Sequence, residues 1–135
     1  MTLDELSRKY PGAQAYKFGD TPETNAHLIE QARSGRKTAT CGALRDYDED
    51  NGDMPSPGRR DIVLNWDGTP ALVIETLSVA ITNYCDMGPD FALAEGAGDM
   101  AEWRRDHKAY FERTGGFDEE MKLVCERFRV IEDLQ

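Results

Sequence analysis

The chain has 135 residues, of which 39% are hydrophobic and 31% are charged, and its formal net charge is −10 at pH 7. This length is typical of one domain and this composition is typical of a folded chain, which argues against global disorder. The acidic balance argues against an extended duplex nucleic acid, whose phosphates would be repelled unless basic groups gathered on one face. We therefore expect one domain over residues 1–135, with a small or single-stranded ligand.

The sequence has no membrane or export signal. Its longest apolar runs, such as residues 71–74, are too short to cross a bilayer, and the first residues lack the basic and apolar layout of a signal peptide. We therefore expect a cytoplasmic protein that does not bind a membrane. Cys41, Cys85 and Cys125 are an odd number of cysteines without a CxxC pair, which favours buried, reduced thiols.

Capping signals predict two helices near the N-terminus. Thr2 and Glu5 match a capping box, and the first helix ends at Pro11. Thr21, followed by proline, is typical of an N-cap, and Gly35 ends the second helix. The spacing places on one face of the second helix Asn25, Leu28, Ile29 and Ala32.

A strand is predicted over residues 37–41, followed by an acidic loop over residues 46–53. The loop does not match a calcium EF-hand. Counted from Asp46, its sixth and twelfth positions hold Asn51 and Pro57 instead of Gly and Glu. We interpret this segment as a solvated surface loop without a metal.

The strongest β signal is a hairpin. It consists of a strand over residues 61–66, the turn Asp67-Gly68 and a second strand over residues 70–79. Glu75 shares a face of the second strand with three apolar residues, Val73, Leu77 and Val79. A carboxylate on such a face is either paired in the interior or placed at the mouth of a pocket.

The C-terminal part is predicted to hold a short helix over residues 86–94, a helix that Asp99 caps, and a closing strand over residues 123–131. Three aromatic residues on one side of the capped helix favour core contacts over a base-stacking platform: Trp103, Tyr110 and Phe111. Because strands and helices do not alternate regularly, we predict a mixed α+β barrel in place of a parallel sheet.

Residues 35–40 place two cations and two hydroxyls where a helix ends. They do not form a Walker A loop, because Arg36 separates Gly35 from Lys37. Two interpretations are open. Lys37 interacts with the carbonyl end of the preceding helix and Thr40 is an ordinary strand residue; or Thr40 is a nucleophile and Lys37, with a lowered pKa, is its base. The second requires a bend, since strand residues three apart point to opposite faces.

The pattern Gly35-x-Lys37-x-x-Thr40 resembles the signature of the ASCH family. Other segments that resemble family landmarks follow in the family's order, at residues 18–21, 73–76, 95–99, 103–107 and 125–128. The resemblance is strongest over residues 16–131. It implies a PUA-like mixed β-barrel surrounded by helices, with a ligand cleft near Lys37.

Two activities are implied by the resemblance: hydrolysis of N4-acetylcytidine by small bacterial members, and RNA cleavage. The catalytic set of the amidohydrolases corresponds to Lys37, Thr40 and Glu95. Glu75 competes for the acidic role, but Glu95 lies in a more accessible glycine-rich loop. The chain departs from these relatives by its greater length and its extended helix over residues 103–107. We predict as substrate-binding residues Arg36, Thr38, Glu75, Gly96, Asp99, Arg104 and His107.

We therefore expect a hydrolase of a modified pyrimidine nucleoside or a related amide. No cofactor and no structural metal are expected, because His27 and His107 lie on separate helices. Two alternatives are open. A ribonuclease assisted by a transient divalent ion would hold phosphate with Arg36 and Lys37, and its binding would depend strongly on salt. A non-catalytic module would bind single-stranded RNA without turnover.

Overall fold

A computed structural model describes residues 1–47 and 54–135. Residues 48–53 of the predicted acidic loop therefore lie outside the described residues. Of the helices that are described, none is long and apolar enough to cross a membrane.

Four helices and five strands make up the described fold. The helices are α1 (Leu3–Lys9), α2 (Pro22–Arg33), α3 (Pro89–Ala94) and α4 (Met100–Arg113). The strands are β1 (Ala15–Lys17), β2 (Ala39–Ala43), β3 (Arg60–Leu64), β4 (Pro70–Asn83) and β5 (Lys122–Asp133). Two short 3₁₀ turns, Leu44–Asp46 and Tyr84–Asp86, follow β2 and β4.

The strands form one sheet in the order β1-β3-β4-β5-β2. The β1–β3 pair is parallel and the other pairs are antiparallel. The long β4–β5 pair shifts register twice, between Val73 and Ile74 and between Thr76 and Ser78. Because such irregularities bend a strand pair, the sheet curves into a half-barrel. The predicted mixed α+β fold is confirmed, and β2 lies at an edge of the sheet.

Apolar side chains pack on both faces of the sheet. One core cluster joins β2 and β5 to α3 and α4, with Trp103 and Phe111 almost fully buried. A second cluster joins α2 to β3, β4 and β5, and it includes Phe18 and Phe128. Trp103 and Phe111 are therefore core residues, as predicted, whereas Tyr110 is only partly buried.

Most predicted elements are confirmed, with shifted ends. The helix expected from residue 86 begins at Pro89, after the 3₁₀ turn. The strand expected from Lys37 begins at Ala39, because the preceding amides bond outside the sheet: Lys37 N–H donates to Gln31 O and Thr38 N–H donates to Ala94 O. The three-residue strand β1 was not predicted, since so short a segment has no readable alternation.

The prediction of buried thiols is wrong for one cysteine. All three cysteines are free; Cys125 is buried and Cys41 is partly buried, but Cys85 is exposed. Cys85 lies in the 3₁₀ turn after β4, where the chain runs along the surface.

Helix α2 carries the cap that its sequence predicts. The Thr21 hydroxyl accepts a hydrogen bond from Thr24 N–H at 3.2 Å, and Pro22 occupies the first turn. The buried side chains Asn25, Ile29 and Ala32 then face the sheet. This cap therefore fixes the start of the helix that forms one wall beside the sheet.

Thr21→Ala should lower the free energy of unfolding by about 1 kcal/mol, because it leaves an amide of the first turn without its side-chain acceptor. Urea denaturation measures the loss. Thr21→Ser keeps an acceptor oxygen and should retain most of the stability, so an equal loss in both variants would contradict the capping role.

Candidate functional site

A cavity of about 970 Å³ lies beside the edge strand β2, with further walls from β1, α2 and α4. This volume falls at the upper end of the range for small-molecule sites. Lys37, Thr40 and Glu95, which the sequence proposed as a catalytic set, all line it.

Lys37 is 4% exposed. Its Nζ donates to Ala39 O at 2.8 Å and to Glu95 O at 3.4 Å, and it lies 5.4 Å from the centre of the Phe18 ring. The side-chain amine thus bonds at the end of α3, whereas the backbone N–H of Lys37 bonds to Gln31 O in the last turn of the preceding helix α2. Burial lowers the pKa of Lys37, although the negative charge of Glu95 opposes this effect.

Thr40 lies opposite Glu126 in the antiparallel β2–β5 pair. Directly opposed residues share a face of a sheet, and both residues line the cavity. Glu126 is 5% exposed and accepts a hydrogen bond from the Thr76 hydroxyl at 2.5 Å. Burial raises the pKa of the Glu126 carboxyl. Sequence reasoning did not assign Glu126 to the site, although a glutamate inside an apolar closing strand was the available signal.

The Glu95 carboxylate is held on the α4 side of the cavity. Its Oε2 accepts from the Trp103 indole N–H, lies 3.1 Å from His107 Nε2, and accepts from the Cys41 thiol at 3.6 Å. Burial opposes ionisation of Glu95. The hydrogen bond and charge of His107, with help from Lys37 and Trp103, nevertheless hold the pKa of Glu95 below its usual value.

The cavity extends along both faces of β2. Ala39 and Ala43 belong to the core cluster beneath α3 and α4, with Cys41 packed against it. Since neighbouring strand residues point to opposite faces, Thr40 faces away from this cluster, toward Glu126. The carboxylate of Glu95 therefore lies on the other face from Thr40. Lys37 precedes the strand, so strand alternation does not restrict its side chain.

Two of the predicted substrate-binding residues line the cavity: Gly96 and His107. Gly96 has a positive φ of 95°, and a Cβ there would meet the Gln31 side chain at 2.5 Å. The glycine lets the chain turn sharply between α3 and α4, which carry Glu95 and His107 to the same place.

The other predicted binding residues are not among those that line the cavity: Arg36, Thr38, Glu75, Asp99 and Arg104. Glu75 forms ion pairs with Arg60 at 3.4 Å and Arg129 at 2.8 Å, so its carboxylate is paired on the outer part of the sheet. Asp99 caps α4 by accepting from Glu102 N–H at 2.8 Å. The carboxylates of Glu75 and Asp99 are therefore occupied by contacts that stabilise the fold.

Acidic groups outnumber basic ones around the cavity. Of the described lining residues, four are lysine or arginine, namely Lys17, Lys37, Arg59 and Arg113. Seven are acidic, namely Asp20, Glu23, Asp46, Glu95, Glu102, Asp106 and Glu126. This balance disfavours a polyanionic ligand, because its phosphates would be repelled.

The described residues form a small mixed α+β half-barrel with a cavity beside its edge strand. A family model for the ASCH domain matches residues 14–132, and the chain belongs to this family, which is linked to RNA binding. The search of curated proteins gave no match.

Solved structures agree with this assignment. An ASCH domain from Lactobacillus crispatus JV V101 is 33% identical, with a TM-score of 0.81 over 93% of this chain and 84% of that one. A protein from Enterococcus faecalis V583 is 29% identical, with a TM-score of 0.84 over 98% and 91% of the two chains. A mutant of the Zymomonas mobilis ASCH protein, 12% identical with a TM-score of 0.56 over 90% and 73%, is similar in fold.

Glu95→Ala should lower the free energy of unfolding by about 3 kcal/mol, because it leaves the buried Trp103 N–H and His107 without their acceptor. Urea denaturation at neutral pH measures this. The matched variant Glu75→Ala should lose much less, since the partner side chains Arg60 and Arg129 are 49% and 60% exposed. Equal losses in the two variants would show that the buried contacts of Glu95 contribute no more to stability than the exposed ion pairs of Glu75.

Proposed function

We propose that the protein hydrolyses the acyl amide of an N4-acylated cytidine or a closely related small amide, with Thr40 as nucleophile and Lys37 as base. The observation that carries this proposal is the buried Lys37 amine, whose pKa is lowered, in the same cavity as Thr40, which is large enough to take a nucleoside. The family's link to RNA supports a nucleoside as the substrate class.

Lys37 is suited to act as a neutral base. Two carbonyl oxygens, of Ala39 and Glu95, accept from its Nζ. A neutral amine satisfies both with its two N–H groups, which leaves its lone pair available for a proton. Desolvation favours this neutral form. A threonine hydroxyl needs such a base, since it is a weak nucleophile while it retains its proton.

The reaction balances with these two residues alone. The Thr40 oxygen attacks the acyl carbonyl carbon while Lys37 takes the hydroxyl proton. The C–N bond then breaks, and the Lys37 ammonium gives that proton to the departing exocyclic amine. Water attacks the acyl-Thr40 ester, Lys37 takes a proton from the water and returns it to the threonine oxygen, and the carboxylic acid leaves.

Glu95 acts in this proposal as a positioning residue. Its backbone carbonyl accepts from Lys37, while its carboxylate is occupied by Trp103, His107 and Cys41. Its low pKa makes it a poor proton donor near neutral pH. The family resemblance implies an acidic role for Glu95. In this proposal Glu95 instead orients Lys37.

Charge favours a small neutral substrate over a long RNA. The cavity is lined by an excess of carboxylates, and the whole chain carries a formal net charge of −10. A nucleoside has no phosphate and meets no such repulsion. A free nucleoside is therefore the preferred probe for turnover.

Purified protein should release acetate from N4-acetylcytidine, and Lys37→Met should lower kcat/KM by about 10²-fold to 10⁴-fold, because the base is lost. Thr40→Val should abolish turnover, while Thr40→Ser should retain part of it. Liquid chromatography of cytidine formation measures each rate. Lys122→Met, an exposed lysine on β5 that does not line the cavity, is the matched control.

Several outcomes would overturn the amidase. Unchanged turnover in Lys37→Met would remove Lys37 from the mechanism. No turnover by the folded wild-type protein, with metal-dependent cutting of labelled single-stranded RNA, would identify a ribonuclease. Binding of that RNA without cutting would identify a binding module.

The pH profile should report Lys37 directly. Only the neutral amine is a base, so kcat/KM should rise with pH through the pKa of Lys37 and level off, with a midpoint below the ordinary lysine value of 10.5. The charge of Glu95 raises that pKa, so Glu95→Gln should move the midpoint to lower pH as well as slow the reaction. A midpoint that stays fixed in Glu95→Gln would contradict this assignment.

A further inference from the structure

Cys41, Glu95 and His107 bring three different ligand types together beside the cavity. The thiol sulfur, a carboxylate oxygen and an imidazole nitrogen all lie within 4.8 Å of one another. Glu95 is buried and the other two are partly buried. The amidase proposed above uses Glu95 only to position Lys37, so it assigns no reaction step to Cys41 or His107.

The distances in the cluster fit a shared ion. Glu95 Oε2 lies 3.1 Å from His107 Nε2 and 3.6 Å from Cys41 Sγ. Ligands around a tetrahedral zinc ion are about 3.3 Å apart for an oxygen and nitrogen pair, and about 3.6 Å apart for an oxygen and sulfur pair. Two edges of a coordination tetrahedron are therefore present. The third edge, between Cys41 Sγ and His107, is no longer than 4.8 Å.

The hydrogen bond at Nδ1 decides which ring nitrogen of His107 is available to an ion. Its Nδ1 lies 2.9 Å from Trp103 O, and a carbonyl oxygen only accepts, so Nδ1 carries the hydrogen. In a neutral imidazole, Nε2 then directs a lone pair at the Glu95 carboxylate. The carboxylate oxygen also directs a lone pair at Nε2. Two acceptors at this distance repel each other unless a cation or a second ring proton lies between them.

Trp103 supports two members of the cluster. Its indole N–H donates to Glu95 Oε2, and its backbone carbonyl accepts from His107 Nδ1. Metal-binding histidines characteristically donate their other ring N–H to a carbonyl, and ligating carboxylates are themselves hydrogen-bonded. Trp103 is fully buried, so these supports are rigid.

We propose that Cys41, Glu95 and His107 form a binding site for a zinc-class divalent ion, with its open coordination position facing the cavity. The sequence predicts no structural metal from His27 and His107, which lie on separate helices, whereas the tertiary structure adds a thiol and a carboxylate to His107. Sulfur, nitrogen and oxygen ligands together suit zinc and disfavour calcium or magnesium, which take oxygen alone.

Binding of the ion displaces protons from the ligand side chains. Cys41 binds as the thiolate and His107 through the lone pair of Nε2, so the thiol proton and the proton that Nε2 donates to Glu95 are both released to solvent when the ion binds, and affinity rises with pH. Three protein ligands leave the fourth position for water or for an oxygen of a cavity ligand. The metal site does not depend on the amidase, because its nucleophile Thr40 and its base Lys37 contribute no ligand, and the shared residue Glu95 touches Lys37 through its backbone carbonyl.

Cobalt(II) reports the site by its colour. Titration of the metal-free wild-type protein with Co²⁺ should give one equivalent of tetrahedral d–d bands and a thiolate-to-cobalt charge-transfer band, and Zn²⁺ should displace them. Cys41→Ser should lose the charge-transfer band, and His107→Asn should weaken Zn²⁺ binding at least about tenfold. Cys85→Ser removes the exposed thiol and should leave the spectrum unchanged.

The wild-type titration decides the matter even if a ligand variant does not fold, because the band requires a thiolate. A folded wild-type protein without this band would overturn the proposal and leave His107 and Glu95 as an imidazolium–carboxylate pair. A band that is lost in Cys85→Ser or kept in Cys41→Ser would overturn it too. Since the titration contains no nucleoside, it tests the metal site separately from the amidase.

Discussion

The buried carboxylate of Glu95 is the contact on which the site depends. It lies at the end of α3, and its oxygen joins Trp103 and His107 of α4 to Cys41 of β2. Its backbone carbonyl also holds the Lys37 amine. A buried carboxylate is costly unless donors surround it, so α3, α4 and β2 must keep this arrangement together.

The edge position of β2 gives the cavity two chemically different sides. On one face Thr40 meets Glu126, and on the other Cys41 meets Glu95. The environments of the two glutamates shift their pKa values in opposite directions: burial raises that of Glu126, whereas His107 outweighs burial and lowers that of Glu95. One short strand thereby separates a carboxyl whose pKa is raised from a carboxyl whose pKa is lowered.

The sequence predicted local structure well where a local signal exists. The caps at Thr2, Thr21 and Asp99 marked the helix starts, and the Asp67-Gly68 turn marked the hairpin. The lining of the cavity was harder to predict. Glu75 was predicted to bind substrate, yet its partners Arg60 and Arg129 lie on the neighbouring strands, whose register the sequence did not specify.

By itself, the sequence determined the α+β class, the positions of the main helices and strands, and the family, because these follow from periodicity, capping residues and a spaced motif. Only the tertiary structure decided which polar groups meet. Lys37 contacts a carbonyl 58 residues away and Cys41 a carboxylate 54 residues away. Such contacts arise from the curvature of the sheet and the packing of α3 against α4. Neither feature corresponds to a periodic pattern in the sequence.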